Sequence, residues 1–184
     1  MNKQGETMWL ETNRLVIRNL RRTDAAEFVR MAADGSLEES IGFDAECGAW
    51  MDAWIEKAIG LSNADDPRGP FLAYAIETKD TKEVIGSVGC SYYDDLKKVG
   101  ITYFIGAEVR NRGYAAEAVC AFVPYFFEHF DETTLIANIL TENVPSQKVA
   151  EQAGFVLNEV KMYRDIEDVE EKMYCFYSID RPEK

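Results

Sequence analysis

Residues 103–118, Tyr-Phe-Ile-Gly-Ala-Glu-Val-Arg-Asn-Arg-Gly-Tyr-Ala-Ala-Glu-Ala, decide the fold of this chain. An apolar strand leads into a polar loop that contains Gly113, and a long apolar helix begins near Tyr114. Small residues at the start of a helix let a ligand approach the backbone closely, and the first N–H groups have no partner within the helix. Together with the helix dipole and with Arg110 and Arg112, these donors favour the binding of phosphate or pyrophosphate.

On both sides of this stretch, the hydrophobic pattern changes between the period of strands and the period of helices. It predicts strands at residues 15–17, 71–76, 84–93, 99–105, 135–140, 155–163 and 173–179, and helices at residues 23–33, 49–61, 114–130 and 146–153. Three successive strands joined by polar turns indicate an antiparallel meander, and a strand–helix–strand unit follows. The predicted fold class is therefore α+β with a mixed sheet. Pro124 should kink or split the helix in which it lies, because it lacks a backbone donor.

Length and composition indicate one globular domain. Of the 184 residues, 47% are hydrophobic, and no linker rich in Pro, Gly or Ser divides the chain. We expect a loose polar tail at residues 1–8 and a single domain at residues 9–184. The N-terminus has no apolar segment typical of a secretion signal, and no apolar run is long enough to span a membrane. These features predict a cytoplasmic protein.

The charge balance narrows the classes of partner. The chain has 33 acidic and 20 basic residues and a formal net charge of −13. Such a chain is unsuited to nucleic-acid backbones and to anionic membrane surfaces, and it would attract a cationic partner. The four cysteines form no CxxC motif and His129 is the only histidine, so we expect free thiols and no metal site.

Separated segments of the chain resemble the GCN5-related N-acetyltransferase (GNAT) family. Arg110-Asn111-Arg112-Gly113-Tyr114-Ala115 matches that family's acyl-CoA pyrophosphate loop. Asn143-Val144-Pro145-Ser146, followed by Glu151-Gln152-Ala153-Gly154-Phe155, resembles its second motif on the CoA side. The segments LETNRLVIR at residues 10–18 and MYCFYSI at residues 173–179 are similar to the branch that includes the ribosomal-protein N-terminal acetyltransferases.

The resemblance implies a mostly antiparallel sheet of six or seven strands, flanked by about four helices. A V-shaped splay would separate strands 99–105 and 135–140, and acyl-CoA would lie in it. The CoA pyrophosphate would meet the backbone N–H groups of residues 112–115, and the pantetheine would pair with the edge of strand 99–105. The cofactor-binding residues that the resemblance implies are Phe104, Ile105, Arg110, Asn111, Arg112, Gly113, Tyr114, Ala115, Asn143 and Ser146.

The implied reaction is direct transfer of an acetyl group from acetyl-CoA to a primary amine. The backbone N–H of Ile105 would polarise the thioester carbonyl. Many relatives carry a Glu base on the first splayed strand and a Tyr acid four residues after the Asn143 motif, but Gly100 and Ala150 occupy these positions here. The general base is therefore unassigned, and a water relay is one route. Ser146 is the candidate proton donor to the leaving thiolate, although it also fits an ordinary helix N-cap.

Several other residues have two interpretations. Glu108 is a candidate for a displaced base, but a solvated loop acid is the favoured reading. His129 near a helix C-terminus is typical of a surface histidine stabilised by the helix dipole. We expect Tyr103 to be a packing residue. Trp50 and Trp54 fit either the lining of an acceptor pocket or a buried helix face.

The leading hypothesis is an N-acetyltransferase whose acceptor is a protein N-terminus or a small-molecule amine. A non-catalytic acyl-CoA-binding module or sensor is the alternative, because Gly100 and Ala150 depart from the family pattern. The expected partners are acetyl-CoA and an amine, with no nucleic acid, metal or membrane. We expect a monomer or a homodimer, and acidic residues around the acceptor mouth would attract a protonated amine.

Overall fold

The computed structural model describes residues 8–166 and 168–183. Among these residues, eight strands form one sheet in the order β1-β2-β3-β4-β5-β6-β8-β7, accompanied by five α-helices. The strands are β1 (Trp9–Glu11), β2 (Leu15–Asn19), β3 (Phe71–Thr78), β4 (Val84–Tyr93), β5 (Lys98–Ile105), β6 (Thr134–Leu140), β7 (Val156–Tyr163) and β8 (Lys172–Asp180). The helices are α1 (Asp24–Ala32), α2 (Glu38–Ile41), α3 (Met51–Ala64), α4 (Tyr114–His129) and α5 (Val144–Gln152).

The predicted α+β class is confirmed, and so is the antiparallel meander of β3, β4 and β5. The sheet has one strand more than the sequence predicted, because β1 pairs antiparallel with β2. The predicted tail also extended one residue too far. Met8 is buried and its backbone N–H donates to Oδ1 of Asn19 at 2.9 Å. Residues 1–7, the rest of that predicted tail, lie outside the described residues.

Two hydrophobic clusters cover the two faces of the sheet. On one face, α4 packs through Phe122 and Phe126 against strand residues such as Tyr74. On the other face, α1 and α3 pack through Phe28 and Ile55. Because apolar residues point to both faces of β3 and β4, these strands read as continuous hydrophobic runs in the sequence.

The splay lies between β5 and β6, the one parallel pair in the described sheet. These strands pair at only two positions, Val99 with Leu135 and Gly100 with Ile136. Beyond Gly100, β5 continues for five residues along β4 without a described partner in β6, which pairs on its other side with β8. The V-shaped opening that the sequence predicted is therefore present, and it begins at Gly100.

The helix α4 is continuous, so the predicted split at Pro124 is wrong. The proline lies on the exposed side of the helix, and so does Cys120, whose carbonyl would have accepted the missing N–H bond. Water can solvate a carbonyl on that side, so the lost bond does not interrupt a helix that packs through its opposite face. The thiol of Cys120 is exposed and the other three cysteines are buried, and all four are free.

A buried charge cluster joins α1 to the sheet. Thr23 stands at the predicted N-cap of α1, but its side chain makes no capping bond. The carboxylate of Asp24 instead accepts the backbone N–H of Arg21 at 2.7 Å and the guanidinium of Arg18 at 2.8 Å. Arg18 also donates to Glu77 at 2.8 Å, and all three paired side chains are at most 10% exposed. This cluster fixes the α1 face against β2 and β3.

No helix within the described ranges has both the length and the apolarity needed to cross a membrane.

Candidate active site

The loop before α4 presents backbone donors at the end of the splay. Asn111 and Gly113 both have left-handed conformations, with φ of 60° and 79°, and Gly113 is the N-cap of α4. The hydrogen-bond ladder of the helix begins with the N–H of Glu117 donating to the carbonyl of Gly113 at 3.0 Å. The N–H groups of Tyr114 and Ala115 precede that ladder, so they are available to an anion at the positive end of the helix dipole.

Three arginines surround this loop, one more than the motif suggests. Arg110 donates from Nε to the carbonyl of Ile105 at 3.0 Å and from Nη2 to Oγ of Ser36 at 3.0 Å, so it braces the loop against the end of β5. Arg112 is exposed. Arg14, which the sequence analysis did not single out, donates to the carbonyl of Arg112 at 2.9 Å.

Arg14 is held in place by contacts with the start of α4. Its Nε is 2.6 Å from Oε2 of Glu117, and its guanidinium lies 4.5 Å from the ring centroid of Tyr114. Thr12 donates to the same carboxylate at 2.6 Å. The signal that could have found Arg14 was its place in the N-terminal segment that resembles the family, but nothing local in the sequence links residue 14 to residue 117.

The end of β5 directs alternate backbone groups into the splay. The N–H of Gly106 donates to the carbonyl of Ile85 in β4 at 2.9 Å. Because successive residues of a strand point their backbone groups to opposite sides, the N–H of Ile105 points away from β4 and toward the splay. The side chain of Phe104 is buried on the α1 and α3 face, where it contacts Phe28 and Phe43.

A hydroxyl pair bridges the two sides of the splay. Ser146 in α5 donates from Oγ to the phenol oxygen of Tyr103 in β5 at 2.8 Å, and that phenol donates to the carbonyl of Ser146 at 2.9 Å. The N-cap reading of Ser146 is wrong, because Asn143 caps α5 and its Oδ1 accepts the N–H of Ser146 at 3.2 Å. Tyr103 packs against the core, as predicted, and it also makes these two hydrogen bonds. Burial raises the pKa of Tyr103 to about 12, although its bond to Ser146 acts in the opposite direction.

A cleft of about 460 Å³ opens on the α1 and α3 face of the sheet and reaches β5. Aromatic side chains dominate its walls, and those that line it are Phe43, Trp54, Phe71, Tyr93, Tyr103, Phe104 and Tyr174. The indole of Trp54 stacks on the ring of Phe71, with centroids 5.2 Å apart and an interplanar angle of 6°. Trp50 does not line this cleft, and its ring packs edge-on against Phe43.

One wall of the cleft carries an acidic residue that sequence analysis missed. Asp165 in the loop between β7 and β8 accepts the backbone N–H of Ile166 at 2.6 Å and lies 3.5 Å from the hydroxyl of Tyr93. Burial raises its pKa, and the nearby carboxylates Asp168 and Asp95 act in the same direction. The sequence showed only an acidic turn here, because the approach of residue 165 to residue 93 depends on the packing of two distant hairpins.

The remaining candidate residues have structural roles. Glu108 is exposed and pairs with Arg30 at 2.6 Å, which agrees with the surface reading. His129 is 2.7 Å from Oδ2 of Asp65 and stacks on Tyr125, so it is a paired and partly buried residue. Ala150, where relatives place a tyrosine, is fully buried. No group of three or more metal-ligating side chains occurs within residues 8–166 and 168–183.

Known proteins match the chain in both sequence and fold. The family model described as "Acetyltransferase (GNAT) domain" matches residues 14–156. An uncharacterized N-acetyltransferase of Bacillus subtilis (strain 168), YoaA, is 27% identical over 152 residues, which cover 79% of this chain and 81% of that protein.

Two solved structures are similar over almost the whole chain. A GNAT-family acetyltransferase from Bacillus anthracis has a TM-score of 0.78 at 20% identity, with 94% of this chain and 98% of that chain covered. RimL, a ribosomal L7/L12 alpha-N-protein acetyltransferase in complex with coenzyme A, has a TM-score of 0.78 at 14% identity, covering 95% and 98%. These two likenesses show a shared fold. Because the family model spans well over half of the chain, the protein belongs to the GNAT family of acetyltransferases.

Proposed function

We propose that the protein transfers the acetyl group of acetyl-CoA to a primary amine. The observation that carries this proposal is the position of three features: the donor-rich loop before α4, the splay between β5 and β6, and the cleft that reaches the splay from the opposite face. A ligand with a polyanionic end and an extended arm fits the loop and the splay together. The second substrate would enter from the cleft.

The residues around the splay suit such a donor. The N–H groups of Tyr114 and Ala115, with the charges of Arg14 and Arg112, suit a pyrophosphate. The edges of β5 and β6 that face each other beyond Gly100 suit an arm that contains amide groups. Bound there, acetyl-CoA supplies an acetyl group activated as a thioester.

Asn143, which the resemblance implies as a cofactor-binding residue, also caps α5. Its Oδ1 already accepts the N–H of Ser146, so it positions the first turn of α5. Any contact of Asn143 with the donor would use its amide N–H₂ group. Within the described residues, that group makes no hydrogen bond with the protein.

The Tyr103–Ser146 pair is the proposed proton source for the leaving thiolate. Both hydroxyls lie where α5 faces the splay, and each takes part in the 2.8 Å bond between them. Because the pKa of Tyr103 is raised to about 12, the phenol stays protonated at neutral pH and can donate. Tyr103 would then perform the task for which relatives use a tyrosine at the position of Ala150.

These groups weigh against the non-catalytic alternative. Gly100 and Ala150 suggested a sensor because two reactive side chains of the family pattern are missing. The partly buried hydroxyl pair beside the splay and the partly buried carboxylate of Asp165 in the cleft can take over proton transfer, so the departures do not remove the chemistry.

The test is to measure acetyl-CoA binding by calorimetry and CoA release with a panel of primary amines. The matched pair of variants is Gly113→Val and Gly35→Val. Both glycines have similar left-handed φ values, 79° and 74°, but only Gly113 caps α4. We expect G113V to lose at least tenfold in acetyl-CoA affinity while G35V retains it. Equal affinity in both variants, or no CoA release with any amine, would contradict the proposal.

A further inference from the structure

Of the two described carboxylates that line the proposed acceptor cleft, Asp165 and Asp168, one has no cationic partner within the described residues. Asp168 is neutralised by Lys172 at 2.9 Å and also accepts the hydroxyl of Tyr174 at 2.6 Å. Asp165 differs, because its described partners are the N–H of Ile166 and the hydroxyl of Tyr93. No lysine or arginine of the described ranges forms an ion pair with it. A partly buried carboxylate without a counterion, open to a cleft, is suited to bind a cationic group from a ligand.

The ring that reaches Asp165 also explains why residue 100 is glycine. A Cβ atom on Gly100 would lie 2.5 Å from Cε2 and 3.0 Å from Cδ2 of Tyr93. The phenol of Tyr93 therefore occupies the space above β5 that a side chain at position 100 would fill. Its hydroxyl points toward Asp165 at 3.5 Å. The absence of a side chain at residue 100 and the position of the acid at residue 165 are thus linked through one ring.

We propose that Asp165, positioned by Tyr93, binds the acceptor amine and accepts its proton, and that the acceptor is a primary amine with an aromatic or bulky apolar flank and no acidic group next to the nitrogen. This inference rests on the proposed function and names the substrate class of the same site. Asp165 is the catalytic residue, and Tyr93 is a positioning residue.

The apolar flank of the proposed acceptor is inferred from the residues that line the cleft. Trp54, Phe43 and Phe71 form an aromatic surface in the part of the cleft made by α3, β3 and the segment after α2. An apolar or aromatic group of the acceptor would pack there, at about 25 cal/mol per Å² of buried apolar area. An acidic group beside the nitrogen would instead approach Asp165, and like charges at short range repel.

Every proton in the acetyl-transfer step has a donor and an acceptor. The bound ammonium first loses one proton to solvent through the cleft. The neutral nitrogen then forms a bond with the acetyl carbonyl carbon, and one of its N–H protons passes to a carboxylate oxygen of Asp165. The carbon–sulfur bond then breaks, and the thiolate takes a proton from the Tyr103–Ser146 pair. Asp165 returns its proton to solvent through the cleft, and the pair is reprotonated in the same way. No oxidant, reductant or metal enters this balance.

The groups that face Asp165 determine the pH at which it acts. They are Tyr93 from β4, Asp95 from the turn before β5, Asp168 from its own loop and Tyr163 at the end of β7; Tyr174 from β8 and Lys57 from α3 line the same cleft. The acidic neighbours and burial raise the pKa of Asp165, whereas the bonds from Ile166 and Tyr93 lower it, with a net increase. A base with a raised pKa is nearer to the pH at which it has to accept a proton.

The first experiment compares four acceptors on the wild-type protein with acetyl-CoA as donor: 2-phenylethylamine, L-phenylalanine, L-phenylalaninamide and ethylamine. L-Phenylalanine adds only a carboxylate to 2-phenylethylamine, and the amide replaces that charge by a neutral group. We expect 2-phenylethylamine and the amide to exceed L-phenylalanine and ethylamine at least tenfold in kcat/KM. A preference for L-phenylalanine or for ethylamine would overturn the assigned substrate class.

The second experiment measures the pH dependence of kcat/KM for Asp165→Asn, Tyr93→Phe and Asp94→Asn. Asp94 is an exposed carboxylate that pairs with Lys97 on the turn before β5, so it serves as the control. We expect D165N to lower kcat about 10²-fold and to remove the acid limb of the profile, with acetyl-CoA affinity unchanged. Y93F keeps the ring above Gly100, so it should shift the acid limb without removing it.

Two outcomes separate this inference from the proposed function. If wild-type protein releases CoA with amines and D165N retains both its rate and its acid limb, Asp165 is not the base and only the inference fails. If wild-type protein transfers acetyl to no amine, the proposed function fails together with the inference. Circular dichroism and acetyl-CoA affinity of D165N show that the variant is folded.

Discussion

The ring of Tyr93 covers Gly100, and a Cβ atom at that glycine would lie only 2.5 Å from Cε2 of the ring. Both residues are buried at the point where β5 and β6 separate. The strand position at which relatives carry an acid is therefore closed to any side chain in this protein. This contact links the geometry of the splay to the packing of the aromatic cleft that Tyr93 lines.

Substitution of Gly100 should destabilise the protein through this contact. We expect Gly100→Ala to lower the free energy of unfolding by about 1–3 kcal/mol, because the ring of Tyr93 has to move from a packed position. Chemical denaturation measures the loss. The double variant G100A/Y93A should lose less than the sum of the single variants, since removal of the ring opens the space that the methyl group needs. Strict additivity would mean that the ring does not fill this space.

Removal of the hydroxyl pair should slow the chemical step. We expect Tyr103→Phe and Ser146→Ala each to lower kcat by about 10²-fold with little change in acetyl-CoA affinity. If the two hydroxyls act as a unit, the double variant should be no slower than the slower single variant. Because the pKa of Tyr103 is about 12, its ionisation should produce no alkaline limb between pH 7 and 10. Steady-state kinetics across this range, together with calorimetry, check all three expectations.

Removal of the Arg18 side chain should strongly lower the free energy of unfolding. Arg18→Ala leaves the buried carboxylates of Asp24 and Glu77 without their shared cation, and breaking such a pair costs about 3–5 kcal/mol. The control is Arg22→Ala, since Arg22 pairs with Glu56 at an exposed position, where solvent screening makes the loss much smaller. Urea denaturation at pH 7 compares the two variants. Similar losses for both would contradict the role of the buried cluster.

Asp165 should reduce the stability of the folded protein at neutral pH. Its pKa is raised by folding, so the folded state resists the ionisation that occurs readily in the unfolded chain. This penalty is present above the raised pKa and disappears as the pH falls below the ordinary value of about 3.9. Asp165→Asn should therefore increase Tm at pH 7, with a smaller increase at pH 4. An increase of the same size at both pH values would point to a change in packing instead.

The accessible thiol offers an independent check of the fold. Cys120 is exposed on α4, whereas Cys47, Cys90 and Cys175 are buried, and burial raises the pKa of each of these three thiols. We expect one thiol per chain to react with a disulfide reagent in the native protein and four to react in denaturant. Cys120→Ser should abolish the native reaction. Two or more fast native thiols would show that the core around Cys47, Cys90 or Cys175 is not packed as described.

Local patterns predicted the parts of the structure that local interactions build. The loop before α4 and the strands of the meander follow from glycine placement and hydrophobic period, so their positions were found within a few residues. Pro124 lies within the helix in which it was predicted, but the predicted split does not occur. The sequence could not show this, because the exposure of one side of a helix depends on tertiary packing. The N-cap of α5 was assigned to Ser146 instead of Asn143, because serine and asparagine are both favoured at N-caps.

Most contacts between the residues around the cleft and the splay could not be predicted from the sequence. Asp165 approaches Tyr93 across two hairpins, and Tyr103 meets Ser146 across 43 residues of chain. Neither approach leaves a periodic or spaced signal in one sequence. Trp54 was recognised as a possible lining residue because its helix could be predicted, whereas Arg14 was quoted only as part of a motif because its contact with Glu117 is equally distant.

Because β5 pairs with β6 at only two positions, most of the facing edges of these two central strands have no hydrogen bonds between them. A bound molecule with amide groups would act as a short extra strand and join the two parts of the sheet. Such a ligand adds hydrogen bonds that the folded chain has and the unfolded chain lacks, so binding raises the unfolding temperature by mass action. The heat resistance of this protein should therefore follow the concentration of its acyl donor, and amide protons of residues 101–105 should exchange more slowly as that concentration rises.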